Sequence, residues 1–216
     1  MPDLSFLIED VEAPRFAAAP LLLFKLRVTN ADPDELVHAV ILHCQIQIEA
    51  VRRRYAPAEQ ERLCDLFGEP ERWSKTLRTM HWTHASLSVP SFSGGAVVDL
   101  PVPCTYDFDV AAAKYFHGVE DGDVPLAFLF SGNIFYAAGD GALQVVQIPW
   151  EKEANFRLPI RVWKQMMDSY YPNSAWLRLQ RDVFDRLYEY KLRRGLPTWE
   201  QALESLLPAS EGVAER

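Results

Sequence analysis

The feature that most constrains this chain is a strict two-residue alternation in two long segments. In 22–30, Leu22, Phe24, Leu26 and Val28 alternate with a set containing Lys25, Arg27 and Thr29. In 40–50, Val40, Leu42, Cys44, Ile46 and Ile48 alternate with His43, Gln45, Gln47 and Glu49. Successive side chains of a strand point to opposite faces, so this spacing predicts two strands, each with one face in a core and the other in water. Between them, Asn30-Ala31-Asp32-Pro33-Asp34 has the composition of a turn.

Further strands are predicted over 4–12, 80–89, 97–108, 124–136 and 143–148. So many short strands separated by turn residues predict a mainly β (α+β) fold, an immunoglobulin-like β-sandwich with inserted short helices and a C-terminal helical segment. Gly94-Gly95, Asp121-Gly122 and Gly139-Asp140-Gly141 stand where corners would close it, and Gly132 is read as a hairpin glycine too. One inserted helix is expected over 57–67, with Pro57 at its start, Leu63, Leu66 and Phe67 on one face and Gly68 after its end. The other is expected over 110–117, with Asp109 as N-cap and Gly118 as stop.

After Pro159 the period changes to about 3.6, the helical value. Ile160, Trp163, Met167 and Tyr170 form one stripe before Pro172. Ser174 is the expected cap of a helix carrying Trp176, Leu179, Val183, Leu187 and Tyr190, ended by Gly195 and Pro197. Thr198, with Gln201 three residues on, opens a last helix. The expected organisation is a sandwich domain over 1–156, a helical segment over 157–208 packed on it, and a frayed tail over 209–216.

A length of 216 residues is enough for a core without staples. The net charge of −8 disfavours nucleic acid, whose phosphates are bound by clustered Lys and Arg, and the basic run Arg52-Arg53-Arg54 is short. No basic start precedes an apolar stretch, and no apolar run approaches the roughly 20 residues of a membrane span, so neither leader nor membrane partner is expected. Three widely spaced cysteines, Cys44, Cys64 and Cys104, do not form a disulfide framework, which points to a reducing, cytoplasmic setting.

Residues suited to chemistry are few. Cys44 and Cys104 fall on the apolar faces of their strands, where a thiol behaves as a small hydrophobe, and Cys64 sits in the amphipathic helix. His81 and His84 are the nearest thing to a metal-ligand pair, but residues three apart on a regular strand face opposite ways, and they converge only if the chain bends between them. Asp107 and Asp109, with Glu120, Asp121 and Asp123, would offer oxygen ligands if their two loops met. These make His81, His84, Asp121 and Asp123 the weak metal candidates. No phosphate loop or GxGxxG pattern occurs, and Ser131 lacks the flanking glycines of a nucleophile elbow, so no catalytic residue and no cofactor is assigned.

Aromatic residues crowd the last third. Trp150, Trp163, Tyr170, Tyr171 and Trp176, with Arg157, are the candidate partner-binding residues, because Trp, Tyr and Arg are enriched at binding hot spots.

Four segments carry a family resemblance: Leu21-Leu22-Leu23-Phe24-Lys25-Leu26-Arg27-Val28-Thr29-Asn30, Val102-Pro103-Cys104-Thr105-Tyr106-Asp107-Phe108, Val124-Pro125-Leu126-Ala127-Phe128-Leu129-Phe130-Ser131-Gly132, and Tyr171-Pro172-Asn173-Ser174-Ala175-Trp176. Through them the chain resembles a family of uncharacterised bacterial proteins of about this length, associated with genes of actinobacterial-type nickel-iron hydrogenases. None of the segments encodes a mechanism, so the resemblance implies a setting and not an activity. Three cysteines are too few for a four-thiolate iron–sulfur cluster. The expectation is therefore a non-enzymatic accessory or assembly protein acting by protein–protein interaction, with a hydrogenase subunit or maturation factor as its implied partner. The alternatives are a small-molecule or metal-binding protein, or an enzyme with an unfamiliar site, and a homo-oligomer fits any of these.

Overall fold

The alternating segments become strands because their apolar sets have a second sheet to bury against. β1 (Leu4–Glu12), β2 (Leu21–Asn30) and β3 (Leu36–Ile48) come first, and the connection to β4 (Met80–Val89) holds three short helices, α1 (Pro57–Arg62), α2 (Cys64–Phe67) and α3 (Trp73–Thr76). A two-residue β5 (Phe92–Ser93) and β6 (Gly95–Pro103) lead through α4 (Ala111–Gly118) to β7 (Asp123–Ala137), β8 (Leu143–Gln147) and β9 (Glu153–Pro159). α5 (Ile160–Tyr170), α6 (Arg181–Arg193) and α7 (Trp199–Glu204) follow. This computed structural model describes residues 1–107, 110–138, 141–174 and 176–207. The expected Asp109 cap, Phe108, the Gly139-Asp140 corner and the 209–216 tail lie outside them.

Two antiparallel sheets face each other, one in the order β1-β2-β6 and the other β4-β3-β7. Beyond β7 lie β9, paired with its first half, and β8, paired with its second, so the two act as one interrupted edge strand. A three-stranded sheet facing a six-stranded one, in which β5 continues the β4 edge of β3, is an immunoglobulin-like β-sandwich, as the spacing of the short strands predicts. Leu22, Phe24, Leu26 and Val28 from one sheet, and Val40, Leu42, Ile46 and Ile48 from the other, are fully buried. Phe24 is the hub, with Phe128, Phe156 and Trp82 meeting its ring edge-on at 5.1, 5.8 and 6.4 Å.

The chain divides after Trp176 into two units, 1–176 and 177–216. α5 therefore belongs with the sandwich, although its period groups it with the helices that follow. Its stripe of Ile160, Trp163 and Met167, with Met166, is buried, and Trp163 lies 5.3 Å from Phe116 of α4.

Several local expectations change. The 57–67 helix is broken at Leu63, whose φ of −92° and ψ of 0° separate α1 from α2. Ser174 caps nothing: the next helix starts at Arg181, leaving Trp176 and Leu179 outside it. Gly132 is not in a hairpin but mid-strand in β7, opposite Leu42, with φ +135°. A Cβ there would lie 2.0 Å from the Ile41 carbonyl oxygen, so two backbones meet where only glycine fits. β9 went unpredicted although Ala154 and Leu158 are buried and Phe156 half-buried, because Trp150 and the charges 151–153 mask the alternation.

Candidate functional site

The candidate metal ligands resolve in opposite directions. A β-bulge at Trp82 leaves His81 opposite Gln47 and Thr83 opposite Ile46, so the strand bends where the sequence needed it to. His81 and His84 then share the outer face of the sheet, their ring centroids 4.5 Å apart. The expectation of opposite faces is thereby corrected. Among the described residues, no group of three or more His, Cys, Asp or Glu is placed to hold a metal.

The acidic loop has a different occupant. The guanidinium of Arg53 donates to the backbone carbonyls of Asp121 and Asp123 and makes two 2.8 Å hydrogen bonds to the Glu59 carboxylate. A protein cation thus sits where those carbonyls converge. Glu59 also accepts from the N–H groups of Ala56 and Glu120, at 3.0 and 2.7 Å. Burial alone would raise its pKa, but Arg53 and the two N–H groups outweigh it and hold the carboxyl at about 2. The run Arg52-Arg53-Arg54 is therefore no basic patch: Arg53, partly buried, ties the β3–β4 connection to the loop before β7.

Two of the three thiols are equally inert. Burial pushes Cys44 and Cys104 up to about 12, far from the thiolate a nucleophile or metal ligand needs. A hollow of about 230 Å³ at one end of the sandwich is lined by Arg62, Tyr106, His117, Trp163, Lys164 and Asp168. Partial burial, then the charges of Lys164 and Arg62, lower the His117 pKa. Yet Arg62 pairs with Glu120 and Lys164 donates to the Glu120 carbonyl, so the hollow carries no strong single-sign field.

The six aromatic and arginine candidates do not form one surface. Trp163 is 2% exposed and belongs to the core, so it is withdrawn from the partner-binding set. Tyr170 is half-buried, its hydroxyl donating to the Ala17 carbonyl at 2.7 Å. Tyr171 stacks on Tyr106 with centroids 5.2 Å apart and meets Trp176 edge-on at 5.4 Å. This short aromatic ladder leaves Trp176 exposed at its end. Trp150 stands 90% exposed on the turn between β8 and β9, and Arg157 points outward from β9.

The second unit holds what the spacing reading only partly found. None of the thirteen residues of α6 is buried, although Val183, Phe184, Leu187, Tyr188 and Leu192 recur at helical spacing. Phe184 and Tyr188 gather Trp199 of α7, at 5.3 and 6.1 Å, and Lys191 lies over the Trp199 ring. Between the helices, Gly195 takes φ +65° while Leu196 and Gly195 donate to the Lys191 and Leu192 carbonyls, the Schellman stop that Gly195 predicted. Thr198 caps α7 by accepting from the Gln201 N–H at 3.2 Å. Two short helices thus present an aromatic and aliphatic face that they do not bury themselves.

The chain belongs to a family of unknown function (DUF6084), whose model matches residues 1–215. No curated protein matches it. Solved structures similar to it include the CARDB domain of a Pyrococcus furiosus protein, in complex with di-metal ions, at 11% identity and TM-score 0.29, covering 73% of this chain and 92% of that one. Another is a late embryogenesis abundant protein at 13% identity and TM-score 0.32, covering 74% and 72%. A third is a Kluyveromyces marxianus β-glucosidase at 10% identity and TM-score 0.24, covering 72% of this chain and 15% of the enzyme.

Proposed function

We propose that this DUF6084 member is a non-enzymatic accessory protein that binds another protein through the apolar face of its C-terminal helical unit. The carrying observation is α6. A thirteen-residue helix is at the length where isolated helices are marginal in water, and α6 gains no buried residue to compensate. Val183, Phe184, Tyr188 and Leu192 remain 42–59% exposed. Covering such side chains is worth about 1 kcal/mol each, enough to turn a marginal helix into an ordered docking element. Phe184, Tyr188 and Trp199 supply the aromatic anchors on which interface energy concentrates.

The sandwich, in this reading, is the carrier: Cys44 and Cys104 are sealed in its core and the Arg53–Glu59 ion pair ties its loops together. The nickel-iron hydrogenase setting implied by the resemblance makes hydrogenase subunits and maturation factors the first partners to test, in a cytoplasmic setting that suits three free thiols. Capture from the native host by the tagged full chain, read by mass spectrometry, should enrich a partner that Phe184→Asp and Leu192→Lys each lose. Equal capture by wild type and both variants would refute the assignment to this face, and no enrichment by wild type would refute the reading itself.

A further inference from the structure

We propose that the free edge of β8 seats a second copy of this chain, the two β8 strands pairing antiparallel about a two-fold axis at Val145. The phase of the β7–β8 ladder sets which backbone groups are free. Ile148 donates to Gly132 and Ala138 to the Ala142 carbonyl, at 2.9 and 2.8 Å. Hydrogen-bonded positions alternate along an antiparallel strand, so Gln144 and Val146 also turn toward β7, while Leu143, Val145 and Gln147 turn their N–H and C=O groups to the open side. Among the described residues, no strand pairs with that side.

The other edges are better protected. β1 lies against β9, where Lys152 reaches Asp3 at 2.6 Å, and β4 lies against β6, so the two sheets close along those seams. β1 also carries Glu9, Asp10 and Glu12, and β6 carries Asp99. β8 has none of the charged or proline residues that normally blunt an edge, and 141–149 contains no charge at all. Its outer face is apolar, with Leu143 63% and Val145 55% exposed beside half-buried Phe135, the cross-strand partner of Val145.

Charge selects the occupant. Two chains of net charge −8 repel through most of their surfaces, and that repulsion is least where two uncharged edges meet. The strand is also its own complement. Because the outward residues are all odd-numbered, Val145 meets Val145 and Leu143 meets Gln147 of the second copy, which satisfies about six ladder hydrogen bonds. The Val145 and Phe135 side chains of both copies then join into one covered strip.

Sedimentation of the full chain over concentrations bracketing the micromolar range tests this. Wild type should dimerise, and Val145→Lys should weaken the dimer at least about tenfold. Val145→Pro should act alike, because the N–H it removes points outward from an edge strand, where proline is tolerated, and both variants should keep the far-UV spectrum of the wild type. Leu192→Lys, on the α6 face, should leave the dimer intact, which separates this inference from the partner-binding reading. Hydrogen exchange on wild type needs no variant to fold: the Leu143, Val145 and Gln147 amides should gain protection as concentration rises. A monomer throughout, dimers untouched by both Val145 variants, open-ended assembly in place of dimers, or exchange at these amides independent of concentration would each overturn the proposal.

Discussion

Arg53 and Glu59 face each other through two parallel 2.8 Å hydrogen bonds with their side chains only 10% and 4% exposed, and between them they hold the β3–β4 connection to the loop before β7. Arg53 also reaches the loop before β7, while Glu59 takes the Glu120 N–H. The Glu59 carboxyl titrates near 2 in the fold against 4.5 as its ordinary value. A lowered carboxyl stabilises the fold fully above its unfolded pKa, and that contribution disappears as pH falls from about 4.5 through about 2. Removing one member of such a pair leaves the other buried and uncompensated, so Arg53→Met should cost about 3 kcal/mol at neutral pH. Denaturant midpoints measured from pH 7 to pH 3 should show Glu59→Gln clearly weaker than wild type at neutral pH, with the gap narrowing on acidification.

Gly132 makes a second, sharper prediction. Gly132→Ala must displace the Ile41 carbonyl from a 2.0 Å approach and adopt φ +135°, so it should destabilise by about 3 kcal/mol or prevent folding. Gly141→Ala, with φ +81° but open space around the new methyl, should cost about 1 kcal/mol. Comparable losses in denaturant titrations of the two variants would contradict the close β3–β7 approach.

Limited proteolysis should cut between the units. Residues 177–180 are exposed and outside any helix or strand, and Arg178 and Arg181 offer trypsin two sites there. The sandwich has its own core, so the fragment ending near Arg178 should accumulate and melt cooperatively, whereas cleavage after Arg157 within β9 should be slow.

Thiol titration of the folded chain should find Cys44 and Cys104 unreactive, since both are buried with pKa values near 12. Cys64 is partly exposed, but burial of the thiol and the nearby Glu69, Glu61 and Glu71 raise its pKa too, so it should react slowly. All three should react once the chain is unfolded. Fast labelling of Cys44 in native protein would show that the β3 core face is not sealed.

Much of the sheet was legible because burial of one face leaves a local record. β1 and β4 coincide with 4–12 and 80–89, and the apolar sets of β2 and β3 are the buried ones. The candidate sites were less legible. The His81 and His84 convergence depends on one extra residue at Trp82, which no pattern within β4 announces. Trp163 looked the same as Trp176 by spacing, yet one is core and the other exposed, because only packing distinguishes two aromatic rings on neighbouring stretches.

By itself, the sequence determined that alternate residues of β2 and β3 would be buried and that Gly195 and Thr198 would bound two helices. These are consequences of local periodicity and turn chemistry, which act over a few residues. Tertiary structure alone decided that Arg53 would clamp Glu59 and the loop before β7, that Gly132 would sit against Ile41, and that β8 would keep an open edge. Each depends on which distant strands become neighbours, and that choice is made by the burial of the whole core and not by any one segment.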